Sequence, residues 1–144
     1  MKKLSFLILP FLLSPTLSFA KSYGDIQGAV YVRNYDGDTI TFNLPGLHPI
    51  IGEKISIRVN GIDTPEIRGK CEQEIYSAKQ VKELVADILN DAETIDLKNI
   101  ERGKYFRVVA DVFVDGANLA DELIEAGMAV PYDGGKKSHN WCEE

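Results

Sequence analysis

Lys54-Ile55-Ser56-Ile57-Arg58-Val59-Asn60-Gly61-Ile62-Asp63-Thr64-Pro65-Glu66 joins a strand pattern to an acidic turn. Its first seven residues alternate strictly, with Ile55, Ile57 and Val59 on one face and Ser56, Arg58 and Asn60 on the other. That is the period of a half-buried strand, and it predicts Arg58 on the face away from the core. The strand runs into Asp63-Thr64-Pro65-Glu66, where Pro65 restrains the backbone and two acidic side chains can converge on one hard cation. Arg58 adds a permanent positive charge five residues earlier. Taken by itself this cluster reads equally well as a surface ion pair at a turn.

Outward from this stretch, more strands appear. Residues 28–34 and 39–44 are rich in β-branched and aromatic side chains, and Asp36-Gly37 turns between them. Asp36-Gly37-Asp38-Thr39 lacks the acidic spacing of an EF-hand loop. Residues 45–52, with two prolines and two glycines, read as a loop. After the central stretch, Ile75, Ala78, Val81, Leu84, Val85, Ile88 and Leu89 recur at spacings of three and four, predicting a helix over 72–90. Strands follow over 94–100 and 107–114. Asn118 can cap a second helix that Gly127 stops. The tail from Pro131 reads as irregular. Lys104-Tyr105-Phe106-Arg107 opens the last strand with two cations around aromatic rings, and also reads as a solvated strand entrance. Five strands, with helices after the third and fifth, predict an α+β domain dominated by β structure: a small barrel with attached helices.

The ends of the chain carry other information. Lys2 and Lys3 precede an apolar run from Leu4 to Leu13, Pro15 breaks it, and Ser18-Phe19-Ala20 supplies small residues for cleavage after Ala20. Residues 1–20 therefore read as a secretory signal peptide, since a membrane span needs about 20 apolar residues. Residues 21–144 form one domain, exported to the periplasm or the medium, with no membrane partner once the leader is gone. In an oxidising compartment Cys71 and Cys142 read as one disulfide, with free thiols as the alternative. It would close a long loop, for which chain entropy gives roughly 4 kcal/mol, and tie down the tail.

The whole chain has 144 residues, 16 Lys+Arg and 22 Asp+Glu, hence a charge of −6. Losing Lys2 and Lys3 with the leader takes this to −8. Wholesale disorder is excluded by 44% hydrophobic residues, and binding of nucleic acid by bulk charge is excluded by the acidity. His48 and His139 are the only histidines, which excludes a multi-histidine zinc or copper site.

Three blocks in order, Asp36-Gly37-Asp38-Thr39, Arg58 through Glu66, and Lys104-Tyr105-Phe106-Arg107, resemble the staphylococcal nuclease-like (thermonuclease) family. Asp115-Gly116 and Leu123 to Ala129 are similar too. The resemblance implies an OB-fold five-stranded barrel with two to three attached helices, agreeing with the strand count. It also implies a secreted, calcium-dependent endonuclease acting on DNA and RNA as a monomer and leaving 3′-phosphates. By match to the motif, Asp38, Asp63 and the carbonyl of Thr64 become Ca2+ ligands. Glu66 becomes the residue that orients or deprotonates water, and Arg58 and Arg107 become the phosphate clamps. Lys104 and Tyr105 match positions that hold a terminal phosphate, and Tyr132 matches a base-stacking tyrosine across a one-residue gap. The family often has glycine where this chain has Phe106, whose ring would reposition Arg107 or point into the core. A charge of −8 predicts weak, salt-sensitive binding through local cations: Arg58, Lys104, Arg107, Arg68 and Lys70. Two other classes are a non-catalytic OB-type binder of single strands and a structural or adhesion domain without calcium affinity.

Overall fold

The computed structural model describes residues 22–143, so the proposed signal peptide lies outside the described residues. The strands are β1 (Val30–Asn34), β2 (Thr39–Asn43), β3 (Ile55–Val59), β4 (Ile62–Asp63), β5 (Ile95–Arg102), β6 (Val108–Val114), β7 (Ala117–Asn118) and β8 (Val130–Pro131). The helices are α1 (Pro49–Gly52), α2 (Glu72–Asp91) and α3 (Leu119–Glu125), with a single 3₁₀ turn at Lys104–Phe106. The main sheet runs β1-β2-β3-β6-β5, and β7 adds to β6. Only the β3–β6 pair is parallel. Residues leading into β1 close the ring onto β5: Ile26 and Leu97 exchange N–H···O bonds at 2.8 Å, and Ala29 N donates to Ile95 O at 2.8 Å. Closure removes the exposed edges of the sheet. The result is an OB-like barrel of five strands with three helices.

The barrel forms because β2, β3, β5 and β6 each turn apolar side chains inward. Ile40, Phe42, Ile57, Val59, Leu97 and Val112 fill the interior, each essentially without solvent contact. Val81, Val85 and Leu89 of α2 and Leu119 and Leu123 of α3 bury their stripes against the same core. Cys71 caps α2, its Sγ accepting from Glu74 N at 3.4 Å, and Asn118 caps α3 through Oδ1 and Ala120 N at 2.9 Å.

Three expectations change. The stretch over 45–52 is not all loop, because His48 Nδ1 accepts from Ile50 N at 3.2 Å and starts the one-turn α1. The two-residue strands β4, β7 and β8 are too short to leave a periodic trace, and β8 belongs to the supposedly irregular tail. Arg58 does lie opposite the apolar face of β3, yet it is buried, because β4 and Tyr132 cover it. No helix among the described residues is long and apolar enough to cross a membrane.

Candidate active site

The site grows from the register of the barrel. Arg58 stands beside Thr39 of β2 and Val109 of β6, so its side chain emerges where the Asp36–Asp38 turn meets the β3–β4 corner. Gly37 makes that meeting possible: an added Cβ there would lie 2.8 Å from Val81 Cγ2 and 2.9 Å from Thr64 Cγ2. Real side chains do not tolerate such contacts, so glycine lets the turn sit flush against α2 and Thr64. Asn34 fastens the turn further, donating through Nδ2 to the carbonyls of Asp36 and Lys82, each at 2.9 Å.

Around Arg58 the charges are buried and paired. Its guanidinium forms ion pairs with Asp38 and, at 3.8 Å, with Asp63 Oδ1, and Nη2 donates to Ile62 O at 3.0 Å. Thr64 N donates to Asp38 Oδ2 at 3.2 Å. Asp36 Oδ1 accepts from Asp38 N at 3.2 Å, yet burial, and next the charge of Asp38, raise the Asp36 carboxyl to about 6. Buried negative charge is thus in excess here, and it favours a cation.

The donor chemistry fits calcium. Asp38 and Asp63 offer hard carboxylate oxygens, both buried, and Asp63 Oδ1 accepts no hydrogen bond of good geometry despite its ion pairs. Thr64 Oγ1 is likewise buried without a hydrogen-bond partner. Calcium takes six to eight oxygens at loose geometry, so two carboxylates leave room for carbonyls and water. Cys71, Glu74 and Cys142 also cluster, but both sulfurs are joined to each other and offer no thiolate.

Two clefts flank the buried charges, and Arg58 lines the first. One, a cavity of about 220 Å³, is lined by Arg58, Lys104, Arg107 and Tyr132, with Glu101 and Asp133. Arg107 is exposed there, and Lys104 Nζ donates to Gly134 O at 2.8 Å. The Tyr132 ring lies 5.7 Å from the Arg58 guanidinium carbon. The second cleft holds Asp63, Thr64 and Glu66. Glu66 is half exposed, and its Oε1 lies 2.5 Å from Lys137 Nζ. Tyr105 lines neither cleft and is 89% exposed. Phe106 enters no core: its ring is 84% exposed.

Cys71 and Cys142 are joined, with Cα atoms 6.0 Å apart. The pairing brings in side chains that sequence reasoning passed over. Lys137 Nζ lies 2.6 Å from Asp63 Oδ1 as well as against Glu66. Burial works against this ammonium, but its close contacts with the Asp63 and Glu66 carboxylates, and their charges, outweigh it and raise its pKa. Trp141 is buried, with Nε1 3.5 Å from Asp63 Oδ2. Glu74 accepts from Lys70 N at 2.7 Å and Glu66 N at 3.4 Å, bracing the loop that carries Glu66. A buried carboxylate in the first turn of α2 gave no local signal; only the cysteine at its cap hinted that the tail comes here.

No curated protein matches this chain. Residues 56–142, more than half its length, match the family described as Staphylococcal nuclease homologue, a match that takes in Arg58, the acidic corner, the 104–107 turn and the tail. The chain belongs to the staphylococcal nuclease homologue family.

Proposed function

We propose that this protein is a secreted, calcium-dependent nuclease that hydrolyses phosphodiester bonds of DNA and RNA and leaves 3′-phosphates. The observation that carries the reading is the placement of Arg58. It stands between a buried pair of oxygen donors, Asp38 and Asp63, and a cleft lined by Lys104, Arg107 and Tyr132. A merely structural ion pair has no need of the cationic cleft, and a simple binder has no need of the acids.

In this reading Asp38, Asp63 and the Thr64 carbonyl would hold calcium, which would supply Lewis-acid charge to the reaction. The chain's own groups do the rest. Arg58 and Arg107 donate to the phosphate oxygens, and their fixed forks favour the extra charge of the five-coordinate transition state. Glu66 orients a water molecule for attack at phosphorus and accepts its proton. The P–O bond to the 5′ oxygen breaks and that oxygen takes up a proton from water, leaving a 5′-hydroxyl and a 3′-phosphate. Lys104 lies where a neighbouring phosphate would enter, and Tyr132 offers a ring to a base. Export rests on the reading of residues 1–20.

The test is hydrolysis of single-stranded DNA by the purified protein with calcium and with chelator. Cleavage that needs calcium, with 3′-phosphate ends on the products, is expected. Folded protein inert at every calcium and salt concentration would leave the OB-type binder as the better account.

A further inference from the structure

The tail is the part of the site that neither the barrel nor the motifs explain. It is pinned at both ends. Tyr132 N donates to Gly61 O at 2.8 Å where the tail leaves β8, and Cys142 is bonded to Cys71 at the start of α2. Trp141 is buried beside Asp63, with its indole edge-on to His139 at 4.2 Å between ring centres. Between these anchors Lys137 reaches both Asp63 and Glu66 of the second cleft. Its ammonium bridges Asp63 Oδ1 at 2.6 Å and Glu66 Oε1 at 2.5 Å, while the side chain stays 42% exposed.

This arrangement has a consequence for any ion that uses Asp63. A calcium ligated by that carboxylate would stand about 2.4 Å from an oxygen. The ammonium already stands 2.6 Å from Asp63 Oδ1, so the two cations would crowd one carboxylate and repel each other. A monovalent charge on a pinned tail is present at high effective concentration and needs no diffusion to return. The same ammonium also neutralises Glu66, so the carboxylate assigned to water is occupied whenever Asp63 is.

Resting on the reading of Asp38 and Asp63 as the calcium pair, we infer that Lys137 is a built-in counter-cation. It occupies Asp63 and Glu66 when calcium is absent, and calcium must displace it to bind. Displacement frees Glu66 in the same motion, so cation binding and exposure of the water-orienting carboxylate are coupled. Lys137 is a positioning residue in this scheme, setting calcium affinity and the freedom of Glu66 without touching substrate.

The experiment is calcium binding by titration calorimetry on the intact wild-type protein, Lys137→Met, Lys137→Arg and Asp63→Asn. Lys137 is partly exposed and Met keeps its unbranched stem, so circular dichroism should show native folding. Competition of this kind predicts that K137M binds calcium roughly fivefold or more tightly than wild type, while K137R stays near wild type. Amine labelling read by mass spectrometry should show Lys137 more reactive once calcium is added to the wild type. Equal or weaker binding by K137M, with binding lost in D63N, overturns the counter-cation and leaves the calcium site standing. Calcium bound by no protein, or equally by wild type and D63N, overturns the site reading and the counter-cation with it.

Discussion

Around Arg58 of β3, Asp38 in the turn before β2 and Asp63 of β4 are buried and already paired, whereas across the same cleft the Lys104–Arg107 turn holds Arg107 in water. Both arginines face one cavity, and the proposed function gives them one job. Their energetics differ. Arg58 has been taken out of water and oriented by Asp38, Asp63 and the Ile62 carbonyl during folding. Its order is settled before substrate arrives, and its charge is partly spent on the acids. Arg107 keeps its hydration and its rotamers, so it must be ordered at binding. One side of the cleft is preorganised; the other adapts.

The largest expected effect breaks the buried side. Arg58→Ala leaves Asp38 without its ion-pair partner and Asp63 with only Lys137, a buried charge defect that costs about 3 kcal/mol of stability. Urea denaturation should show a lower midpoint at unchanged slope. Cleavage of single-stranded DNA should fall as well, by about 100-fold or more for a lost preorganised donor. If stability holds, the buried pairs are worth no more than surface ones.

Arg107→Ala sharpens the contrast. No ion pair or side-chain hydrogen bond is seen for Arg107 among the described residues, so its loss should move stability by about 0.5 kcal/mol or less. Turnover should still drop by about 100-fold, since its donors are needed when charge builds on the phosphate. Matched kinetic losses with unmatched stabilities would show that the two arginines share a task and differ in how folding prepares them. Normal turnover in the variant would remove Arg107 from the clamp.

The two sides were also unequally legible. The alternation of Ile55, Ile57 and Val59 announced β3, because a period of two survives any context, and the stripe of α2 announced a 20-residue helix to within one residue. Local pattern placed Arg58 on the outer face correctly but carried no sign that this face is buried. Whether an outer face is wet depends on what folds over it, and here that is β4 and Tyr132. The tail was harder still. Lys137 meets Glu66 across 71 positions and Trp141 meets Asp63 across 78, separations over which no local preference acts. The cysteine pair alone pointed to that closure, and it could say that the tail returns without saying which side chains it delivers. Of the two readings of Phe106, repositioning Arg107 or pointing into the core, the second fails: the residue stands in water where the backbone beneath it turns left-handed.

That turn supplies the smallest prediction. Tyr105 and Phe106 adopt φ of 57° and 58°, two consecutive left-handed residues that are not glycine. Each such residue costs about 1–2 kcal/mol, and an 84% exposed ring at 106 recovers little of it by burial. Glycine at 106 removes the steric cost and gives back about 0.5–1 kcal/mol as unfolded-chain freedom, so Phe106→Gly should stabilise the protein by about 0.5 kcal/mol. The bonds that shape the turn survive the change, because they use the backbone: Arg102 Nη1 donates to Phe106 O at 2.7 Å, Arg107 N to Lys104 O at 3.2 Å, and Gly103 N to Arg107 O at 2.8 Å. A small rise in the urea midpoint, with turnover reduced far less than in Arg107→Ala, is the expected pair of results. A fall in stability would instead mean that the exposed ring holds the turn, and the adaptable side of the cleft would then be stiffer than its exposure suggests.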